Sequence, residues 1–64
     1  MNKAARWLAI LDTIKRMTFV GADTLVLEVG GASLRTFYRD LAELEALGRV
    51  RHQCKLWWLT KEGE

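Results

Sequence analysis

Apolar residues recur at helical spacing in three stretches of this chain and at two-residue spacing in a fourth. Over residues 2–17, Ala4, Trp7, Leu8, Leu11 and Ile14 fall on one side of a predicted helix, with Ile10 widening the stripe. Arg6, Asp12, Thr13 and Arg16 take the other side, and Asn2 is placed to cap the N-terminus. Thr18-Phe19-Val20 is short and β-prone, a candidate minor strand before Gly21. Ala22 to Val29 predicts a second, short helix with Ala22, Leu25, Val26 and Val29 on one face. Asp23 sits in its first turn, where a helix favours an acid. Leu27 points away from that face, and Gly30-Gly31 then breaks the helix and permits positive φ.

The third helical stretch runs from Ser33 to Leu47. Advancing about 100° per residue from Phe37, Leu34, Leu41 and Leu44 fall within about 60° of it, with Leu47 on the flank. The opposite arc carries Arg35, Arg39, Ala42 and Ala46, flanked by Thr36 and Glu43. Ser33 can accept a backbone N–H as the cap, and Gly48 suits the left-handed residue that ends a helix. After Gly48 the period becomes two. Arg49 to His52 predicts a strand, Gln53-Cys54-Lys55 a tight turn, and Leu56 to Leu59 a returning strand. Val50, Trp57 and Leu59 form the inward set, leaving Leu56 and Trp58 outside; a slip of one residue would exchange the two sets. Such a hairpin is not stable alone and must lean on the helices.

These elements predict an α+β, mostly α fold, a single domain over residues 1–64, arranged as helix, glycine turn, helix and C-terminal two-stranded β-hairpin. Half of the residues are hydrophobic and three are tryptophan, so a compact core is feasible near the lower size limit for unaided folding. Cys54 is the only cysteine and His52 the only histidine, which excludes a disulfide framework and a structural zinc site from these ligands. No membrane-spanning run or secretory h-region is present, and a reduced cytoplasmic setting is the expectation. Net charge is only +2, but the signs are sorted along the chain. The acids concentrate in the distal third helix (Asp40, Glu43, Glu45) and at the C-terminus (Glu62, Glu64).

Catalysis finds no support in these residues. There is no paired-carboxylate pocket, and Cys54 and His52 lack a third residue to complete a nucleophile–base arrangement. Gly30-Gly31 has neither the lysine nor the preceding strand of a phosphate loop. No cofactor is expected. A short helix after a glycine turn, basic at its N-terminal end, suits a reader of the DNA major groove, and equally an ordinary amphipathic helix with solvated arginines.

Here the sequence resembles a known family. Phe19 to Leu25 followed by Ala32 to Leu41 looks like the helix-turn-helix of DeoR-type winged-helix regulators, in which a serine opens the recognition helix. The run Thr36-Phe37-Tyr38-Arg39-Asp40-Leu41 is similar to the family's T-(aromatic or aliphatic)-Y-R-D-L. Leu44-Glu45-Ala46-Leu47-Gly48 resembles its exit into the wing, and Trp57 to Gly63 resembles the last strand of many winged helices. Small fimbrial-operon regulators share that tail. The likeness spans roughly residues 7–63, with one more glycine in the turn than the family usually has. It implies a winged helix-turn-helix that binds double-stranded DNA in sequence-specific fashion. The effector domain of full-length family members has no counterpart here. The resemblance therefore implies a minimal regulator of the phage or mobile-element kind, bacterial or phage-encoded and nucleoid-associated, with no small-molecule effector.

The matching positions imply that Arg35, Thr36, Tyr38 and Arg39 face DNA. Either arginine suits a bidentate contact to guanine or a brace on phosphate, and Ser33 with the first helix amides suits a phosphate. Arg51, Gln53 and Lys55, with Arg49 at the strand's start, are candidates for a wing on the backbone or minor groove. One module covers few base pairs, so a homodimer on two half-sites is expected, with Leu27, Leu56, Trp58 and the first helix as candidate contacts. Two rival readings are a winged helix that binds protein through the acidic distal helix and Trp58, and an excisionase-like protein that bends DNA.

Overall fold

The computed structural model of the chain describes residues 2–61, with helices first and a hairpin last. Helix α1 spans Lys3–Met17, α2 Ala22–Glu28 and α3 Leu34–Ala46, followed by strands β1 (Val50–Gln53) and β2 (Leu56–Leu59). The fold is α+β and mostly helical, in the predicted order. Glu62, Gly63 and Glu64, which carry the end of the C-terminal likeness and two of the acids, lie outside the described residues.

Local chemistry sets the helix ends. The Asn2 side chain accepts from the Ala5 N–H at 2.8 Å and starts α1. Ser33 does the same for α3, accepting from the Thr36 N–H at 3.3 Å. At the far end of α3, Gly48 takes φ 77°, its N–H bonds the Glu45 carbonyl at 2.9 Å, and the Arg49 N–H bonds the Leu44 carbonyl at 2.9 Å. These two bonds form a Schellman motif, which needs the left-handed residue that glycine supplies. Between α2 and α3, Gly30 and Gly31 have φ 69° and 79°, so the chain turns through two consecutive left-handed residues.

The hairpin pairs Val50 with Leu59, Arg51 with Trp58, His52 with Trp57 and Gln53 with Leu56. Gln53 belongs to β1, so the expected three-residue turn is in fact the pair Cys54-Lys55. Both take positive φ, 51° and 66°, the hand that matches strand twist in a two-residue loop. The predicted register holds: Val50 and Trp57 are buried, Leu59 is half-buried and Leu56 is exposed. Val20 adds a single antiparallel bridge to Trp57, so the Thr18–Val20 segment contributes one bridge instead of a strand.

Ile10, Ile14, Leu25, Phe37, Leu41, Leu44 and Val50 are fully buried and, with Val20, Ala22 and Trp57, make one core from all three helices and the hairpin. Helix α1 is turned relative to the expected stripe. Its buried arc is centred on Ile10 and includes Thr13, while Leu8 is 70% exposed. Two polar residues make this rotation possible. The Thr13 hydroxyl donates to the Ala9 carbonyl at 2.7 Å, so it is buried with its hydrogen bond made, and Arg6 is drawn inward to Asp40.

Candidate nucleic-acid interface

Helix α3 presents two faces because its apolar residues keep to one arc. Phe37, Leu41 and Leu44 are in the core, while Arg35, Tyr38, Arg39, Ala42 and Ala46 are exposed on the far side. Arg35 and Arg39 are four residues apart, hence stacked about one turn apart along the helix. The same surface continues through Ala42 and Ala46, where side chains are too short to hold another body away. Thr36 is half-buried on the flank, its hydroxyl 3.1 Å from that of Ser33. Ser33, Arg35, Thr36, Tyr38 and Arg39 thus share one end of one helix.

The acids of α3 do not share this surface. At about 100° per residue, Asp40 and Glu43 lie to one side of the exposed arc and Glu45 to the other. Lys3 reaches Glu43 at 2.6 Å from α1, and the His52 Nδ1 reaches Glu45 at 2.7 Å from β1. Arg6 makes a two-pronged pair with Asp40, through Nε to Oδ2 and through Nη2 to Oδ1 at 3.1 Å. The Asp40–Glu43–Glu45 set, which the rival protein-binding reading would use as its interface, is therefore engaged within the molecule. By contrast, neither Arg35 nor Arg39 has an ion-pair partner among the described residues.

Asp40 is only 2% exposed. Burial pushes its carboxyl up, but the opposing interactions together, led by the Arg6 hydrogen bond, hold it below the usual carboxylate range. The Trp7 indole N–H adds to this from a position short of good hydrogen-bond geometry, and Lys3 adds its charge. The hydrogen bond to Asp40 in turn raises the Arg6 guanidinium. This pair fixes α3 against α1 and so sets where the exposed arc points.

The other expected site residues separate into two places. Arg51 and Gln53 share the outer face of the hairpin with Leu56 and Trp58, and Lys55 is in its turn. Arg49 lies elsewhere, on an apolar groove of about 420 Å³ between α1 and the end of α3, with Trp7, Leu8, Leu11, Leu44 and Leu47. His52, exposed on the hairpin, stacks on Trp57 with ring centres 4.2 Å apart besides meeting Glu45, so it ties the hairpin to α3. Two contributors went unread in the sequence. Arg6 looked solvated because only its partner on another helix gives it a reason to turn inward. Phe19 is 56% exposed and meets Trp58 edge to face at 6.1 Å; the alternation Phe19-out, Val20-in was the available signal.

Among the described residues no helix is long and apolar enough to cross a membrane, and no group of three or more His, Cys, Asp or Glu side chains is gathered as metal ligands. No family model matches this chain, and no curated protein or solved structure does.

Proposed function

We propose that this chain is a small winged helix-turn-helix protein of the DeoR type that binds double-stranded DNA and regulates transcription, with α3 in the major groove and the hairpin as the wing. One observation carries the reading. Every acid on α3 is drawn to a cation or histidine of a neighbouring element, while Arg35 and Arg39 stay exposed and without an ion-pair partner among the described residues on its outer arc. A protein of net charge +2 thereby offers a locally cationic helix end, which is what a phosphate-lined groove attracts. Arg35 and Arg39 read guanine or brace phosphate, Thr36 and Tyr38 contact the backbone at the edges of the arc, and Ser33 opens the helix toward a phosphate. Ala42 and Ala46 let the distal helix lie close to the groove. Arg51, Gln53 and Lys55 contact the flanking backbone, and Arg49 does so from the start of the wing.

The proposed partner besides DNA is a second copy, since specific regulation needs two half-sites. Leu27, 86% exposed, and the groove bearing Leu8 and Leu47 are apolar surfaces available for it, alongside the expected Leu56 and Trp58. A DNA-binding role places the protein in the cytoplasm, with the nucleoid. In a gel-shift assay, Arg35→Ala and Arg39→Ala are each expected to weaken duplex binding about tenfold, within the roughly 1–3 kcal/mol of a good base contact, with circular dichroism unchanged. If both variants bind duplex as the parent does, α3 is not the reader.

A further inference from the structure

The outer face of the hairpin carries a row of side chains of which the duplex contacts use only Arg51. Val20 bridges Trp57, so Phe19 lies beside Trp58 at the edge of β2, and Trp58 lies opposite Arg51 on β1. The row across the sheet is therefore Phe19, Trp58, Arg51. The two rings meet edge to face at 6.1 Å and 71°. Phe19 is 56% exposed and Trp58 is partly exposed. A groove of about 260 Å³ runs beside them, lined also by Ile14, Lys15 and Leu59.

Arg51, directly opposite Trp58, places a cation beside these rings. From Ala46 to Lys61 the sequence contains no carboxylate, and Arg51, Lys55 and Lys61 fall within that stretch. Lys15 borders the groove from α1. A purely apolar partner would leave these cations without a counterpart, and an acidic peptide would leave the rings without one. Unpaired bases on a phosphate backbone satisfy both, because a base stacks on an aromatic face while cations track the phosphates. A backbone feature supports a purposeful presentation. Thr18 takes φ 71° and ψ −59° while the Phe19 N–H bonds the Met17 carbonyl at 2.8 Å, a strained γ-turn. It turns Phe19 outward as Val20 enters the core.

We infer that the Phe19–Trp58–Arg51 face is a second nucleic-acid site, one that stacks unpaired bases of single-stranded DNA, separate from the duplex-facing arc of α3. The test uses the full chain and a fluorescently labelled deoxythymidine oligonucleotide, followed by anisotropy, with a blunt duplex measured in parallel. The expected result is binding of the oligonucleotide, weakened about tenfold by Phe19→Ala and by Trp58→Ala, the scale of one lost base stack. Phe19→Ala keeps parental duplex binding, whereas Arg39→Ala weakens the duplex and spares the oligonucleotide. Phe19→Ala removes an exposed ring, so it decides the question even if Trp58→Ala fails to fold. Three results overturn the inference: no oligonucleotide binding, binding that Phe19→Ala leaves unchanged, or a dimer in sedimentation that Phe19→Ala abolishes, which would give this face to a second copy. Failure here with intact duplex binding leaves the α3 reading standing; loss of duplex binding alone does the reverse.

Discussion

Thr18→Gly is expected to stabilise this protein, an unusual direction for a point substitution. Thr18 ends α1 with φ 71° and ψ −59°, and its N–H bonds the Ile14 carbonyl at 2.7 Å. A β-branched residue in that region is strained, because its Cβ crowds the backbone where glycine has no such atom. Sparsely populated conformations of this kind cost about 1–3 kcal/mol. Glycine removes that strain but gives the unfolded chain more freedom, which returns roughly 0.5–1 kcal/mol. The Thr18 side chain is exposed and makes no hydrogen bond among the described residues, so little else is lost. The net gain is about 1 kcal/mol, which in a domain of this size raises Tm by roughly 4–8 °C. Thermal unfolding followed by far-ultraviolet circular dichroism measures it, with Thr18→Ala as the control that keeps a Cβ and gains little. A Tm for Thr18→Gly equal to or below that of the parent would refute the strained turn.

Stability should also depend on Asp40 in acid. Its folded pKa lies below the ordinary value of 3.8, so its contribution is complete above that pH and is lost as pH falls through the lower folded value. Urea midpoints of the parent should therefore drop below about pH 4 more steeply than those of Asp40→Asn, which starts lower and stays flatter; parallel curves would show that the Arg6 pair does not matter. Gly30→Ala, at φ 69° with only the Val26 carbonyl near the added methyl at 3.9 Å, should cost about 1 kcal/mol in urea unfolding through backbone strain alone. Arg39→Lys separates two roles on DNA. If Arg39 grips a guanine, lysine loses the fork and sequence discrimination falls; if it braces phosphate, affinity and salt dependence barely move.

The sequence carried the elements well where a single side chain decides locally. Asn2, Ser33 and Gly48 mark helix ends by their own hydrogen-bonding or conformational chemistry, and all three do so in the structure. The hairpin register was legible because Val50 and Trp57 alternate with polar or outward neighbours, and a period of two admits only two answers. The turn was placed too long because Cys54-Lys55 is an uncommon pair for two left-handed positions, so no glycine or asparagine announced it. Non-local chemistry was harder to read. Arg6 on α1 and Asp40 on α3 are 34 residues apart, and nothing in either stretch tells that they meet. The face of α1 that turns Arg6 inward also buries Thr13 and leaves Leu8 outside. The same holds for Lys3 with Glu43 and His52 with Glu45, which remove the acidic surface that the helix showed on paper. The arc of Arg35 and Arg39 was visible from spacing; its lack of competing acids was not.

Selection of bound duplexes from a random DNA library tests the central claim most directly, because it asks for sequence preference without assuming a site. A homodimer reading the major groove through α3 predicts enrichment of an inverted repeat whose half-sites lie about one helical turn apart. Arg35→Ala and Arg39→Ala should then relax the preference at defined base pairs within each half-site. Recovery of no enriched sequence, even at low salt where cationic contacts are strongest, would contradict a recognition role for this helix.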